Sequence, residues 1–202
     1  MRVRIGGLVA ALLLAAAAAT ACTYYPEPPS PTPAPPGTAV PIMPTGWPNG
    51  TTGTFGLRID PGLLTNIPSV VGGNQLVEAA DIEIAAMSDA SYAKAFSSYY
   101  VAGLGSTADL NWLQVTLGAP RADAQSEDFY TTWRDGWFQT ACSQAGGIDT
   151  TAQQEINLWQ VDVAYCIGGV DAYTLTLDDG VIVSIMDLGP RRLGLQLIQG
   201  IN

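Results

Sequence analysis

The chain has 202 residues, 48 % of them hydrophobic, with 8 Lys+Arg against 18 Asp+Glu and a formal net charge of −10. So acidic a surface repels phosphate backbones and adsorbs poorly to anionic lipid heads, which argues against a nucleic-acid partner. There is no histidine, so Ser-His-Asp and Cys-His catalysis are excluded, the commonest zinc ligand is missing, and no cofactor is expected.

Arg2 and Arg4 precede an apolar stretch over 5–19, the charged and apolar regions of an export signal. That stretch is short for a membrane span, which needs about 20 apolar residues. Small residues Ala19, Thr20 and Ala21 then run into Cys22. This pattern resembles a bacterial lipobox, the site of lipoprotein signal peptidase. The resemblance implies that 1–21 is removed. Cys22 would become the mature N-terminus, carrying a diacylglyceryl thioether and acyl chains of the palmitate kind. Two or more such chains give stable attachment where one does not. The expected address is the bacterial cell membrane, on its extracytoplasmic side, with the lipid anchor on Cys22 as the membrane contact.

Ten of the 14 prolines lie between Pro26 and Pro48. Proline lacks an N–H and fixes φ, so helix and central strand are both barred there. We read 22–51 as the lipidated N-terminus and an extended polyproline linker, whose stretch from Thr23 to Asn49 would reach about 80 Å at about 3.1 Å per residue. A single domain is expected over 52–202. The chain has three cysteines. If lipid takes Cys22, Cys142 and Cys166 remain. In an exported chain they are expected to form a disulfide contributing about 3 kcal/mol under the loop-entropy model.

In the domain, 54–59 reads as a short strand. The stretch 76–86 reads as another, with Ile82 and Ile84 on one face. Residues 90–102 read as helix and 111–117 as strand. A helix then opens at Ser126, a hydroxyl N-cap followed by Glu127 and Asp128, and stops at Gly146-Gly147. Phe129, Trp133 and Trp137 fall at i, i+4 and i+8 along one face. Residues 155–167, rich in Val, Ile, Trp and Tyr, read as a strand. The disulfide would staple the end of that helix to the end of that strand.

Residues 171–185 form a hairpin around Leu177-Asp178-Asp179-Gly180-Val181. A three-residue loop with glycine in the left-handed region pairs Leu177 with Val181, Leu175 with Val183 and Tyr173 with Ile185. All six side chains then share one face. A two-residue turn would set Leu175 against Ser184, a poorer match, so hydrophobic register selects the longer loop. Gly189-Pro190 is expected to open a last helix, with Leu193, Leu197, Ile198 and Ile201 on its buried side. Strands and helices do not alternate as a parallel sheet requires. The fold class is therefore α+β, an antiparallel sheet with helices packed on one face.

Several short motifs invite a chemical reading. Ser91-Tyr92-Ala93-Lys94 spells S-x-x-K, the nucleophile motif of penicillin-binding enzymes, but Lys94 is the sole lysine, so a later K-T-G cannot exist. The plainer reading is a solvated helix face. Gly103-Leu104-Gly105-Ser106-Thr107-Ala108 spells a dinucleotide fingerprint without the strand-then-helix context it needs, and reads as a helix-stopping loop. The Phe129–Trp133–Trp137 stripe could stack on sugars but at helical spacing reads as core. Glu78, Asp81 and Glu83, or Asp178 with Asp179, could meet a cation, although neither set has EF-hand spacing. Arg191 and Arg192 stand at a helix start, where the dipole disfavours cations. They read as solvated or as an anion or partner contact.

The stretch from Trp133 through Ala145-Gly146-Gly147 to Arg191-Arg192-Leu193-Gly194 is similar to C-terminal domains of uncharacterised bacterial envelope proteins. That resemblance implies an envelope setting and no activity. The expected function is a non-enzymatic binding or scaffolding lipoprotein with an envelope-protein or cell-wall partner. The alternatives are a carboxylate-dependent cell-wall hydrolase, which needs two acids converging in a cleft, and a small-ligand binding lipoprotein, which needs an apolar pocket.

Overall fold

The computed structural model describes residues 52–106 and 110–202. The export signal, Cys22 and the proline-rich track lie outside the described residues, as do Thr107 and Ala108. Strands are β1 (Arg58–Ile59), β2 (Val70–Val71), β3 (Asn74–Gln75), β4 (Val77–Glu78), β5 (Phe96–Ser106), β6 (Asn111–Pro120), β7 (Ile148–Ile156), β8 (Trp159–Cys166), β9 (Val170–Thr176) and β10 (Ile182–Leu188). Helices are α1 (Ala80–Met87), α2 (Ala90–Ala95), α3 (Glu127–Ser143) and α4 (Leu193–Gln199), with a 3-10 helix at Pro61–Asn66.

The main sheet runs β1-β5-β6-β10-β9-β8-β7, with β4 also on the outer edge of β5. Every pairing in it is antiparallel except β1 with β5. The α+β class holds. The β9–β10 hairpin takes the expected register, Leu175 opposite Val183 and Tyr173 opposite Ile185. Leu177 N–H bonds to Val181 O at 2.9 Å and Gly180 sits at φ 83°, the left-handed glycine the three-residue loop requires.

Alternate residues of a strand face opposite sides of the sheet. On β10, Ser184 and Met186 face α3: the Trp133 indole N–H donates to Ser184 Oγ at 2.9 Å, and Met186 packs beside Trp137 and Cys142. Val183, Ile185 and Asp187 face the other way and meet α4, where Gly194 lies against Ile185, Asp187 and Tyr173. The long helix α3 and short α2 thus share one face, as expected. The last helix departs from that expectation and covers the apolar residues of the opposite face. Leu117, Leu175, Val183, Ile185 and Leu197 are all fully buried there, each stabilising the fold by about 1.5–3 kcal/mol.

The N-terminal half corrects the sequence reading in three places. The stretch 76–86 is mainly helix: its buried residues are Glu83, Ala86 and Met87, at i, i+3 and i+4. The Ile82 and Ile84 that suggested a strand face are 37 % and 44 % exposed. Residues 90–102 split, with α2 stopping at Ala95 and the rest forming β5. The β-forming run Tyr99-Tyr100-Val101 pairs along β6, and that pairing overrides the helical spacing. Of 54–59 only Arg58–Ile59 is strand, because Gly56 at φ 85° turns the chain just before it.

Two corrections fall in the C-terminal half. The single strand expected over 155–167 is the second half of a hairpin whose first strand is the polar β7. Its tip, Asn157-Leu158, has φ values of 50° and 71°, positions where turns ordinarily carry glycine, so the sequence hid the turn. The last helix starts at Leu193, three residues beyond Pro190. Arg192, at φ 48°, forms its N-cap in the left-handed region.

Candidate functional site

A groove runs along α3. The helix is started by Ser126, whose Oγ accepts the Phe129 N–H at 3.1 Å, with Glu127 and Asp128 in the first turn. Its inner face is anchored to β10 by two indoles. Trp133 donates to Ser184 Oγ, and Trp137 donates to Ile185 O at 3.2 Å. Buried indole N–H groups need such partners, and here they fix the helix azimuth on the sheet. The other end of α3 is held covalently: Cys142 and Cys166 form a disulfide with Cα atoms 5.2 Å apart. The expected staple between the end of this helix and the end of β8 is present.

Aromatic rings extend this anchor onto α2 and β5. Trp133 packs edge-on against Phe96 at 4.6 Å and against Tyr92 at 5.8 Å, and Phe129 meets Phe96 at 6.0 Å. Trp137 is buried, while Phe129 and Trp133 are half-buried, so the stripe is core on one side and groove wall on the other.

Two apolar hollows flank the helix. One, of about 340 Å³, lies between α2 and α3 and is lined by Tyr92, Phe129, Trp133 and Trp137. The other, of about 730 Å³, lies beside the disulfide and is lined by Trp112, Ala141, Ile167, Met186 and Leu188. Thr140 borders both, which makes them one interrupted trough, open to solvent along its length. Ile167, at 67 % exposure, forms its rim. Two of the hydroxyls along it are engaged internally: Thr140 donates to Gly136 O at 2.9 Å and Ser91 to Asp89 Oδ1 at 2.6 Å. What the trough offers is mainly apolar and aromatic contact area, with the Trp112 indole N–H left without a partner at its wall.

The singled-out motifs distribute as follows. The Ser91 hydroxyl donates its hydrogen bond to Asp89 and not to Lys94, which is exposed; the S-x-x-K pair is not joined. The Ser91 hydroxyl and backbone N–H hold the Asp89 carboxyl below the usual range. Gly103, Gly105 and Ser106 lie within β5, so the expected helix-stopping loop is a strand there and opens no helix. Gly105, at φ 75°, abuts the Asn111 carbonyl, a closeness only glycine allows. Asp178 and Asp179 form the hairpin turn, with Asp179 Oδ1 accepting the Val181 N–H at 3.0 Å. They also border a polar cleft of about 390 Å³ that holds Trp159 and Asn66. Among the described residues no group of three or more His, Cys, Asp or Glu is placed to hold a metal ion.

The arginine pair is not simply solvated. Arg191 donates from Nη2 to Gly72 O at 2.6 Å, tying the β2–β3 turn to the start of α4. Arg192 reaches back to Tyr173 and Asp171. Beneath them Asp187, 2 % exposed, accepts the Gly194 N–H at 2.8 Å and caps α4 from a neighbouring strand. Burial pushes its carboxyl up to about 6, with the Gly194 bond acting against that rise.

Sequence reasoning also missed a cluster on the far flank of α3. The Tyr130 hydroxyl bonds to Asp162 Oδ2 at 2.9 Å and Thr174 O at 3.1 Å, and Arg134 lies 3.7 Å from Asp162. Burial, then Asp162, raise the Tyr130 phenol. Tyr130 and Arg134 stand at i and i+4, and Asp162 shares a strand face with the inward-facing Ala164 and Cys166. That spacing was the readable signal.

No described helix is long and apolar enough to cross a membrane. No family model, no curated protein and no solved structure matches the chain.

Proposed function

We propose that this chain is a lipid-anchored extracytoplasmic lipoprotein whose α+β domain binds an envelope partner through the α3 trough, without catalysis. The observation that carries the reading is the trough itself: an open, mainly apolar surface, pinned by two indole anchors and a disulfide. Exposed apolar surface of this extent on a rigid scaffold is how proteins present a contact site. The disulfide fits an oxidising compartment, where such bonds persist. The lipobox-like run ending at Cys22 supplies the anchor. One carboxyl pair that the fold brings together, half-buried Glu78 and buried Glu83, sits at a sheet edge and lines none of the hollows described above, which supports binding over hydrolysis. The 730 Å³ hollow also supports a small apolar ligand as occupant, since ligand pockets span about 300–1,000 Å³.

The test is Cys22→Ser expressed in a bacterium with a lipoprotein pathway. The parent chain is expected to take up labelled palmitate, lose 1–21 and partition into detergent, and the variant to do none of these. A variant that is trimmed normally and held as firmly on membranes would overturn the reading.

A further inference from the structure

Where β5 forms the outer edge of the sheet, its partners leave a gap. Strand β1 pairs with Ser98 and Tyr99, and β4 pairs with Ala102 and Gly103. Between them the Val101 carbonyl is met by the Ala79 N–H at 2.9 Å, and the Val101 N–H by a side chain, Glu83 Oε1, at 2.8 Å. A carboxyl from α1 thus stands where a strand carbonyl would be. Glu83 is 0 % exposed. Its second oxygen, Oε2, and Oε1 of Glu78 are buried with no hydrogen-bond donor, yet the two carboxyls are within hydrogen-bonding reach of each other. Two acceptor oxygens so placed repel unless a proton sits between them.

We propose that Glu78 and Glu83 share one proton, and that this proton latches β4 and α1 onto the edge of β5, so that its loss releases them. The groups acting on the pair offer no alternative neutraliser. Strand β5 presents the Tyr99 and Tyr100 phenols, which burial first, and the carboxyls after it, push upward. On β1, Arg58 is paired with Asp60 at 2.5 Å. Beside α2, Asp89 is bonded to Ser91 and Lys94 is exposed. No cation is among the groups that shift Glu83, whose carboxyl is raised to about 7, first by burial and then by Glu78. The shared proton therefore leaves close to neutral pH, and a charged pair remains at a largely buried site.

Hydrogen exchange on the full chain at about pH 5 and about pH 8.5 tests this, with rates corrected for intrinsic base catalysis. The Val101 amide and the amides of 80–87 are expected to lose protection by about tenfold or more at the higher pH, while β8–β10 stay protected. Glu83→Gln keeps an acceptor for Val101 N–H and gives Glu78 a donor, so its protection is expected to hold at both pH values. Equal protection of the parent chain at both pH values, or a parallel loss in Glu83→Gln, would overturn the proposal. Carbon-13 titration of the Glu78 and Glu83 carboxyls in the parent chain provides a readout independent of the variant's folding. Coupled, separated titrations support the shared proton, and two independent ordinary ones refute it.

Discussion

The two margins of the sheet are fastened by different chemistry. At the β8–β10 flank, α3 is held by a disulfide and two indole hydrogen bonds to β10, none of which changes charge near neutral pH. At the β5 edge, α1 and β4 are held by short pairings and a buried carboxyl. The first margin carries the trough and needs a fixed shape. The second has its strength set by protonation. Rigid and conditional attachment therefore coexist in one sheet, and the contrast follows from side-chain chemistry.

The sharpest way to break the rigid margin is Trp137→Ala. It empties a buried site and removes the indole bond to the Ile185 carbonyl, so a loss of about 3–5 kcal/mol in denaturant unfolding is expected. Reducing the Cys142–Cys166 bond is expected to cost about 3 kcal/mol, read by the same measurement with and without reductant.

The conditional margin responds to pH with a definite sign. Glu83 rises from 4.5 unfolded to about 7 folded, so the folded state holds more protons between those values. Its contribution is complete below pH 4.5 and is lost as pH rises through about 7. Asp187, raised from 3.8 to about 6, has the same sign over a lower window. Stability is expected to fall by about 3 kcal/mol for Glu83 over its window, and Glu83→Gln to flatten that part of the curve. The smallest expected effect is at the waist of the trough. Thr140→Phe, at an exposed position, is expected to leave stability within about 0.5 kcal/mol while displacing an apolar fluorescent probe from both hollows.

What could be read from sequence follows from the same physics. The β9–β10 register was legible because a one-residue slip would have turned Leu175 or Val183 away from the core. Helix α3 was legible from its Ser126 cap and its aromatic spacing, and the disulfide from cysteine arithmetic. Helix α1 was not, because a glutamate is among its buried residues and its isoleucines are exposed, against ordinary patterning. The β7–β8 turn was hidden by Leu158, 88 % exposed at a position that normally calls for glycine. The trough itself depends on the interval between α2 and α3, which non-local packing sets and no motif spells out.

The account stands most directly on the intact mass of the protein extracted from bacterial membranes. It predicts a chain beginning at Cys22, heavier by a diacylglyceryl group and its acyl chains, and lighter by two hydrogens for the Cys142–Cys166 bond. A chain that retains 1–21, or one with Cys22 unmodified and the other two thiols free, would contradict it.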